Sequence, residues 1–136
     1  MKLDVKVTLF ILAVLSVLVL VHVAKDGQPD VVLLGQTTLL SPIAKPKFIH
    51  VGACSRKTFQ FTAVQAQSLG DEMIIDELNL HYGGGVWEQV NIKEQIPRGK
   101  TTNWLDLRGN KCIEDIEVVA RTREGAYSLA KIWAQR

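Results

Sequence analysis

Residues 73–82, MIIDELNLHY, decide the fold class of this chain. Apolar and polar side chains alternate along the second half of the stretch: the apolar set is Leu78, Leu80 and Tyr82, and the polar set is Glu77, Asn79 and His81. Such alternation places successive side chains on opposite faces of a β-strand, so that one face packs on a core and the other meets solvent. The stretch therefore predicts a half-buried β-strand.

Runs of the same kind recur from Asp30 to the C-terminus, and turn signals separate them. The runs are residues 31–34, 48–51, 56–65, 86–92, 101–107, 113–123 and 127–134. The turn signals are Gly35, Leu69–Glu72, Gly83–Gly85, Pro97–Lys100, Gly109–Asn110 and Glu124–Gly125. Helical periodicity does not persist outside residues 5–24, so we predict an all-β fold, a single antiparallel β-sandwich of seven or eight strands. A closed barrel is the structural alternative.

The N-terminal segment has the pattern of an export signal. Residues 7–21, VTLFILAVLSVLVLV, include only Thr8 and Ser16 as polar residues, and lysines precede the run. A positive start followed by an apolar run is typical of a signal peptide. Cleavage after Ala24 would put His22 at the third position before the cut, where a small residue is preferred. The sequence therefore leaves both an uncleaved hydrophobic helix, acting as a signal-anchor, and a cleaved signal peptide open.

The length and the charge balance constrain the remainder of the chain. We interpret residues 1–24 as the signal-anchor or signal peptide, residues 25–30 as a linker and residues 31–136 as one β-sandwich domain, since 136 residues allow a single small domain. The chain has 16 Lys and Arg against 14 Asp and Glu, a net charge of +2. That balance is too weak for a nucleic-acid interface, which needs a clustered basic face. Contact with a membrane is expected through the N-terminal helix.

Cys54 and Cys112 are the only cysteines in the sequence. Neither belongs to a CxxC pair, and a zinc site would need four ligands where only His50 and His81 could join them. In a small exported domain the favoured interpretation is a disulfide between the two cysteines, with a pair of buried free thiols as the alternative. Each cysteine precedes a strand-like run, so a bridge would connect two strand starts.

A family resemblance is carried by residues 96–135, IPRGKTTNWLDLRGNKCIEDIEVVARTREGAYSLAKIWAQ. This segment resembles the second half of the YaaI-like family, a group of small exported bacterial proteins of unknown function. The shared pattern is Thr-Thr, Trp-Leu-Asp-Leu, a glycine, and Cys-Ile before an Ile-Glu-Val strand. Upstream, Leu33-Leu34-Gly35 and Cys54 in CSRKTFQF also match, so the resemblance covers residues 31–136. It implies an exported β-sandwich with a Cys54–Cys112 bridge, and it transfers no catalytic residue.

The sequence contains no recognisable catalytic or cofactor-binding set. Beyond the N-terminal segment the histidines are His50 and His81, and no serine lies in a GxSxG motif. Adjacent acids such as Glu114 and Asp115 point to opposite faces of a strand, so they do not form a catalytic carboxylate pair. Gly83–Gly85 lacks the Lys-Ser/Thr of a phosphate-binding loop and is interpreted as a hairpin turn with positive φ. We therefore predict a protein that is not an enzyme, with no metal and no cofactor.

Two tryptophans, Trp87 and Trp104, lie on the polar phase of their strands. An outward tryptophan suits a protein interface or stacking on a sugar ring, while the alternative is that both residues belong to the core. Basic residues in the neighbouring turns favour binding to an anionic surface. The alternative is that they form a solvated rim. The candidate contact residues are Trp87, Trp104, Arg98, Lys100 and Arg108.

These observations favour a protein that acts by contact and not by turnover. The predicted function is that of a non-enzymatic exported or membrane-anchored envelope protein, which acts through protein–protein interaction with an envelope partner. A glycan-binding or peptidoglycan-binding β-sandwich module is the alternative. The predicted location is the bacterial inner membrane, with a single membrane-spanning segment and the C-terminal domain in the periplasm. A soluble periplasmic or secreted protein is the alternative location.

Overall fold

The computed structural model describes residues 30–52, 54 and 60–136. The predicted N-terminal hydrophobic helix, residues 1–24, lies outside them, as do most of the predicted linker and the start of the strand predicted at residues 56–65. In the described ranges, no helix is both long and apolar enough to cross a bilayer.

The described chain forms seven β-strands, and every strand pair is antiparallel. The strands are β1 (Val31–Leu39), β2 (Lys45–His50), β3 (Gln60–Gly70), β4 (Met73–Tyr82), β5 (Trp87–Ile96), β6 (Leu105–Thr122) and β7 (Ser128–Gln135). The prediction of an all-β antiparallel fold is confirmed. It follows from the β-branched, aromatic and alternating composition of these stretches.

The long strand β6 belongs to two sections of the sheet. Its first half pairs with β3, whereas its second half lies between β2 and β4. One section therefore has the strand order β1-β7-β3-β6, and the other has the order β2-β6-β4-β5. Both sections contribute side chains to one hydrophobic cluster, so the fold has a single core.

The core is built from one face of each strand. In β7, for example, buried residues alternate with half-buried ones along the whole strand. The largest fully buried apolar side chains are Phe61, Met73, Ile75, Leu78, Leu80, Ile96, Ile113, Ile116 and Ile132. Burial of one side chain of this size contributes about 1.5–3 kcal/mol relative to full exposure, so this set supplies much of the driving force for folding.

A bulge in β4 keeps its apolar residues on the core side. The buried positions change phase from Met73 and Ile75 to Leu78 and Leu80. The change is possible because the register against β6 shifts between Ile75 and Glu77, where β4 has one residue more than its partner. Leu78, Leu80 and Tyr82 thus point inward as the alternation predicts.

Gly35 does not end the first strand, contrary to the sequence-based expectation. β1 continues to Leu39, with a register shift between Leu33 and Gly35. A Cβ atom at Gly35 would overlap the Cγ2 methyl of Ile49 in β2. The glycine therefore permits close approach of β1 to β2, a role that local composition does not distinguish from a turn.

The turn predicted at Gly109–Asn110 is also replaced by strand, because β6 runs through it. The pairing with β3 passes from Asp106–Ala63 directly to Lys111–Phe61. The intervening residues 107–110 therefore leave the ladder as a bulge within β6, which is a position that glycine tolerates well. As a result Cys112, expected to precede a strand, lies inside one.

The first and last described strands hold each other in place. β1 pairs with β7 and with no other described strand. The backbone N–H of Arg136 donates to the carbonyl oxygen of Asp30 at 3.1 Å, and the Arg136 guanidinium lies 3.6 Å from the Asp30 carboxylate. The ends of the described domain therefore lie side by side.

The contact between Gly35 and Ile49 can be tested by a double-mutant cycle. We expect Gly35→Ala to lower the free energy of unfolding by about 1–3 kcal/mol, because the added methyl group overpacks the core. Ile49→Ala should remove most of that penalty when the two changes are combined, since it deletes the colliding methyl. Urea denaturation of the four proteins gives the coupling energy, and strictly additive effects would contradict the predicted contact.

Candidate functional site

The hairpin between β4 and β5 forms one corner of the domain. Gly84 and Gly85 have φ angles of 87° and 80°, and nothing lies within 4 Å of a Cβ built on either residue. Gly83 differs, because its Cβ would lie 3.0 Å from Cys54 Cβ and 3.2 Å from Cys112 Sγ. The glycine run thus forms the expected hairpin turn, and its first residue also makes room for the cysteine pair.

Cys54 and Cys112 form the disulfide that the sequence favours, with 5.4 Å between their Cα atoms. Cys54 lies in the connection between β2 and β3, and Cys112 lies in β6. The bond therefore joins this connection to the strand shared by both sheet sections, directly behind the β4–β5 hairpin. It braces this end of the domain, which we call the disulfide end.

Two exposed apolar residues follow the glycine loop. Val86 is 53% exposed and Trp87 is 60% exposed. Trp87 therefore lies outside the core, on the outward phase of β5. Val86, the first residue of the run predicted at 86–92, lies in the connection before β5 begins, where the inward–outward alternation does not yet apply.

Trp87 lies at the end of a row of side chains that crosses four strands. The register places it opposite His81, places His81 opposite Asp115, and places Asp115 opposite His50. The Nδ1 atom of His50 lies 2.7 Å from an Asp115 carboxylate oxygen. Because directly paired residues share one face of a sheet, the outer surface here presents two histidines and a carboxylate beside the indole.

Glu88 connects the hairpin to the bulge of β6. The Tyr82 hydroxyl donates to Glu88 Oε1 at 2.7 Å, and the backbone N–H of Arg108 donates to the same oxygen at 3.3 Å. Burial and the hydrogen bond to Glu88 raise the pKa of Tyr82 above its ordinary value. The phenol therefore remains a neutral donor, and the β6 bulge is held against β5.

An open groove of about 470 Å³ lies beside Trp87. It is lined by Val86, Trp87, Glu88, Gln89, Asn91 and Arg108. The lining combines an aromatic ring, two amides, a carboxylate and a guanidinium, which suits recognition of a polar or charged molecule with an apolar element.

The structure separates the predicted contact residues into three places. Trp87 and Arg108 share the groove at the disulfide end. Trp104 is half-buried beside β3, next to Leu105, which pairs with Val64. The two remaining residues, Arg98 and Lys100, are exposed in the Pro97–Lys100 turn, which hydrogen-bonds to Ser68 near the β3–β4 turn at the opposite end.

Sequence reasoning missed the remaining lining residues of the groove, Val86, Glu88, Gln89 and Asn91. Gln89 and Asn91 share the outward phase with Trp87, so the alternation already placed all three on one face. The missing information was the position of Arg108, which depends on pairing between distant strands and on the bulge in β6. Local patterns do not contain that long-range contact.

The acidic residues at the opposite end have structural partners. An Arg123 guanidinium nitrogen lies 3.0 Å from Glu72 Oε1, and the backbone N–H of Tyr127 donates to Asp71 Oδ2 at 3.0 Å. Hydrogen bonds from Gln95 and Arg123 hold the pKa of Glu72 below its ordinary value. Over the described part of the chain, no three His, Cys, Asp or Glu side chains form a metal-binding group.

A family model described as a domain of unknown function, DUF2541, matches residues 10–134. The chain belongs to the DUF2541 family. The family match agrees with the unknown function of the proteins that the sequence resembles, while the YaaI-like name stays a prediction. No curated protein matches this member of the DUF2541 family.

The chain is similar to three solved structures at low TM-scores. The crystal structure of the Yersinia pseudotuberculosis-derived mitogen is 12% identical with a TM-score of 0.42, over 79% of this chain and 86% of that one. AlgX from Pseudomonas aeruginosa is 14% identical with a TM-score of 0.45, over 76% of this chain and 26% of that one. PirA is 13% identical with a TM-score of 0.40, over 74% and 91% of the two chains. At these scores, no function is transferred.

Removal of the disulfide should destabilise the whole domain. The bond joins residues 58 positions apart, and the chain-entropy model gives a loss of about 4 kcal/mol on its removal. Cys54→Ser, Cys112→Ser and the double variant should lose similar amounts, because each removes the same bond. Urea denaturation measures these losses. Alkylation of unreduced wild-type protein should label neither cysteine, and labelling of both would contradict the bridge.

Proposed function

We propose that this protein is a non-enzymatic envelope protein that works by binding another protein through the groove beside Trp87. The observation that carries the proposal is the exposed indole of Trp87 in the same groove as the Arg108 side chain. Tryptophan and arginine are the side chains most enriched among residues that dominate binding energy at protein interfaces. An exposed pair of this kind beside a groove supports a contact site.

The construction behind the groove supports the same proposal. The disulfide packs against Gly83, and Glu88 ties β5 to the backbone of Arg108. A surface fixed in this way loses little conformational freedom when a partner binds, which favours affinity. His50 has Asp115 as its hydrogen-bond partner on an exposed sheet face, and among the described residues no serine, threonine or cysteine side chain hydrogen-bonds to this pair.

We further propose that the domain is exported and held at the bacterial inner membrane by its N-terminal segment, with residues 31–136 in the periplasm. The apolar run at residues 7–21 supports membrane insertion. The disulfide supports an oxidising compartment outside the cytoplasm. A soluble periplasmic or secreted protein is the alternative that shares the export step.

Cell fractionation tests the location. Full-length protein with a C-terminal tag should sediment with inner membranes at full length, and added protease should degrade the tagged domain only after the outer membrane is opened. Soluble protein shortened by the N-terminal segment would contradict the anchor but not export. Tagged protein in the cytoplasm with alkylatable cysteines would contradict both.

Crosslinking in intact envelopes tests the partner site. Wild-type protein should give a crosslinked protein adduct that Trp87→Ala reduces about tenfold or more, because loss of a dominant interface residue costs about 2 kcal/mol or more. Tyr127→Ala is the matched control, since Tyr127 is 49% exposed at the opposite end of the domain and should leave the adduct unchanged. Equal adducts from all three proteins would contradict the assignment of the groove.

Glycan binding is the second candidate function, and the amides beside Trp87 favour it. Gln89 and Asn91 line the same groove as the indole, and a sugar is bound by stacking on an aromatic ring together with hydrogen bonds from such side chains. Retention of wild-type protein on insoluble peptidoglycan, with loss in Trp87→Ala, would support this candidate. A protein adduct without peptidoglycan retention would exclude it.

A further inference from the structure

The strand that carries Trp87 is an edge strand. β5 pairs with β4 along one side and is the last strand in the order of its section. Its other side therefore has no hydrogen-bonded strand among the described residues. An open edge presents a row of backbone donors and acceptors that can pair with another extended chain.

The groove lies along this open edge and not over one face of the sheet. Three consecutive residues of β5, Trp87, Glu88 and Gln89, line it together. Successive side chains in a strand point to opposite faces, so only a space beside the strand can contact all of them. Arg108, from the bulge in β6, forms the other wall.

The register identifies which backbone groups point into the groove. The Tyr82 N–H donates to the Val86 carbonyl at 2.7 Å, which makes this a hydrogen-bonded pair of the β4–β5 hairpin. Hydrogen-bonded pairs alternate along an antiparallel ladder, so Glu88 and Val90 also direct their backbone groups toward β4. The N–H and C=O groups of Trp87, Gln89 and Asn91 therefore point outward.

The open segment is short because a bulge ends it. Lys93 has a positive φ of 51°, and the register between β4 and β5 shifts at this point. The regular edge therefore runs from Trp87 to Asn91, a length of about 17 Å at the usual rise of a strand. That length accommodates a partner segment of roughly five residues.

The edge strand β2 of the same section is built differently. It is six residues long and contains Pro46, Lys45 and Lys47, which are features that prevent edge-to-edge pairing. The Trp87–Asn91 segment has neither proline nor lysine. The contrast is confined to the Trp87–Asn91 segment, because β5 has its own lysine and bulge at Lys93; ahead of that point the edge carries neither feature.

The charged residues of the groove indicate which side chains a partner segment would carry. The Glu88 carboxylate already accepts hydrogen bonds from Tyr82 and from the Arg108 backbone. The Arg108 side chain is exposed and has no ion pair with a described residue. One Glu88 oxygen is thus engaged within the fold, whereas the Arg108 guanidinium is the charged group of the groove that is free to take a new partner, and an acidic side chain on the incoming chain would complement it.

We propose that the groove accepts an extended, acidic segment of a partner protein, which adds as a further strand to the Trp87–Asn91 edge of β5. This inference rests on the proposed function and specifies how the partner binds. Backbone hydrogen bonds to the open edge supply affinity, and contacts with Trp87 and Arg108 supply selectivity.

Proline and alanine at one position separate backbone from side-chain recognition. Gln89→Pro removes an outward N–H without removing a bond to β4, and proline is tolerated at such edge positions. Gln89→Ala removes the side chain and keeps the N–H.

The probe is a displayed library of random nine-residue peptides, selected on full-length wild-type protein. Selected peptides should be enriched in acidic and β-branched residues. They should bind Gln89→Pro at least about tenfold more weakly than Gln89→Ala, which also lacks the glutamine side chain but keeps the N–H, since tenfold corresponds to one or two hydrogen bonds.

Further variants decide how a failure is interpreted. Unchanged thermal unfolding of Gln89→Pro establishes that the variant folds; if it does not fold, Arg108→Glu replaces it and should abolish the preference for acidic peptides.

Equal peptide binding by Gln89→Pro and wild type, or loss of the acidic preference already in Gln89→Ala, would overturn strand addition. Sedimentation that shows a wild-type dimer dissociated by Gln89→Pro would assign the edge to a second copy and also overturn it. A Trp87-dependent envelope adduct that survives in Gln89→Pro would leave the proposed function standing while this inference fails.

Discussion

The continuity of β6 is the constraint on which the rest of the structure depends. One strand supplies hydrogen bonds to β3 in one section of the sheet and to β2 and β4 in the other. The same strand carries Cys112, so the disulfide is anchored where both sections meet. Its bulge at residues 107–110 carries Arg108 to the edge of β5. A single strand therefore contributes to the core, anchors the disulfide and lines the groove.

The two ends of the domain differ in how their polar groups are used. At the β3–β4 end, Glu72 forms an ion pair with Arg123, and Asp71 accepts a hydrogen bond from the Tyr127 backbone. At the disulfide end, by contrast, an exposed indole and an exposed guanidinium lie beside an open groove with the backbone fixed behind them. This difference supports the proposal that binding occurs at the disulfide end.

Much of the fold was predictable because its strongest signals are local. The alternation in residues 73–82 identified β4 and its buried face, and the glycine run identified the hairpin. Gly35 and Gly109–Asn110 were wrongly expected to be turns, since glycine serves equally for a turn, a close strand contact and a bulge. Only the partner strand distinguishes these roles. The exposure of Trp87 could be predicted from its outward position in the alternation. Its proximity to Arg108 could not, because that contact depends on the path of β6.

The pairing of β1 with β7 alone governs the order in which the molecule can be completed. The last described strand, β7, is an interior strand that lies between β1 and β3. Before β7 pairs, β1 has no hydrogen-bonded neighbour, and the β1-β7-β3-β6 section of the sheet is incomplete. Such non-local pairing makes folding slow relative to that of helical domains of similar size. The β1-β7-β3-β6 section can therefore close only once β7 pairs with both β1 and β3.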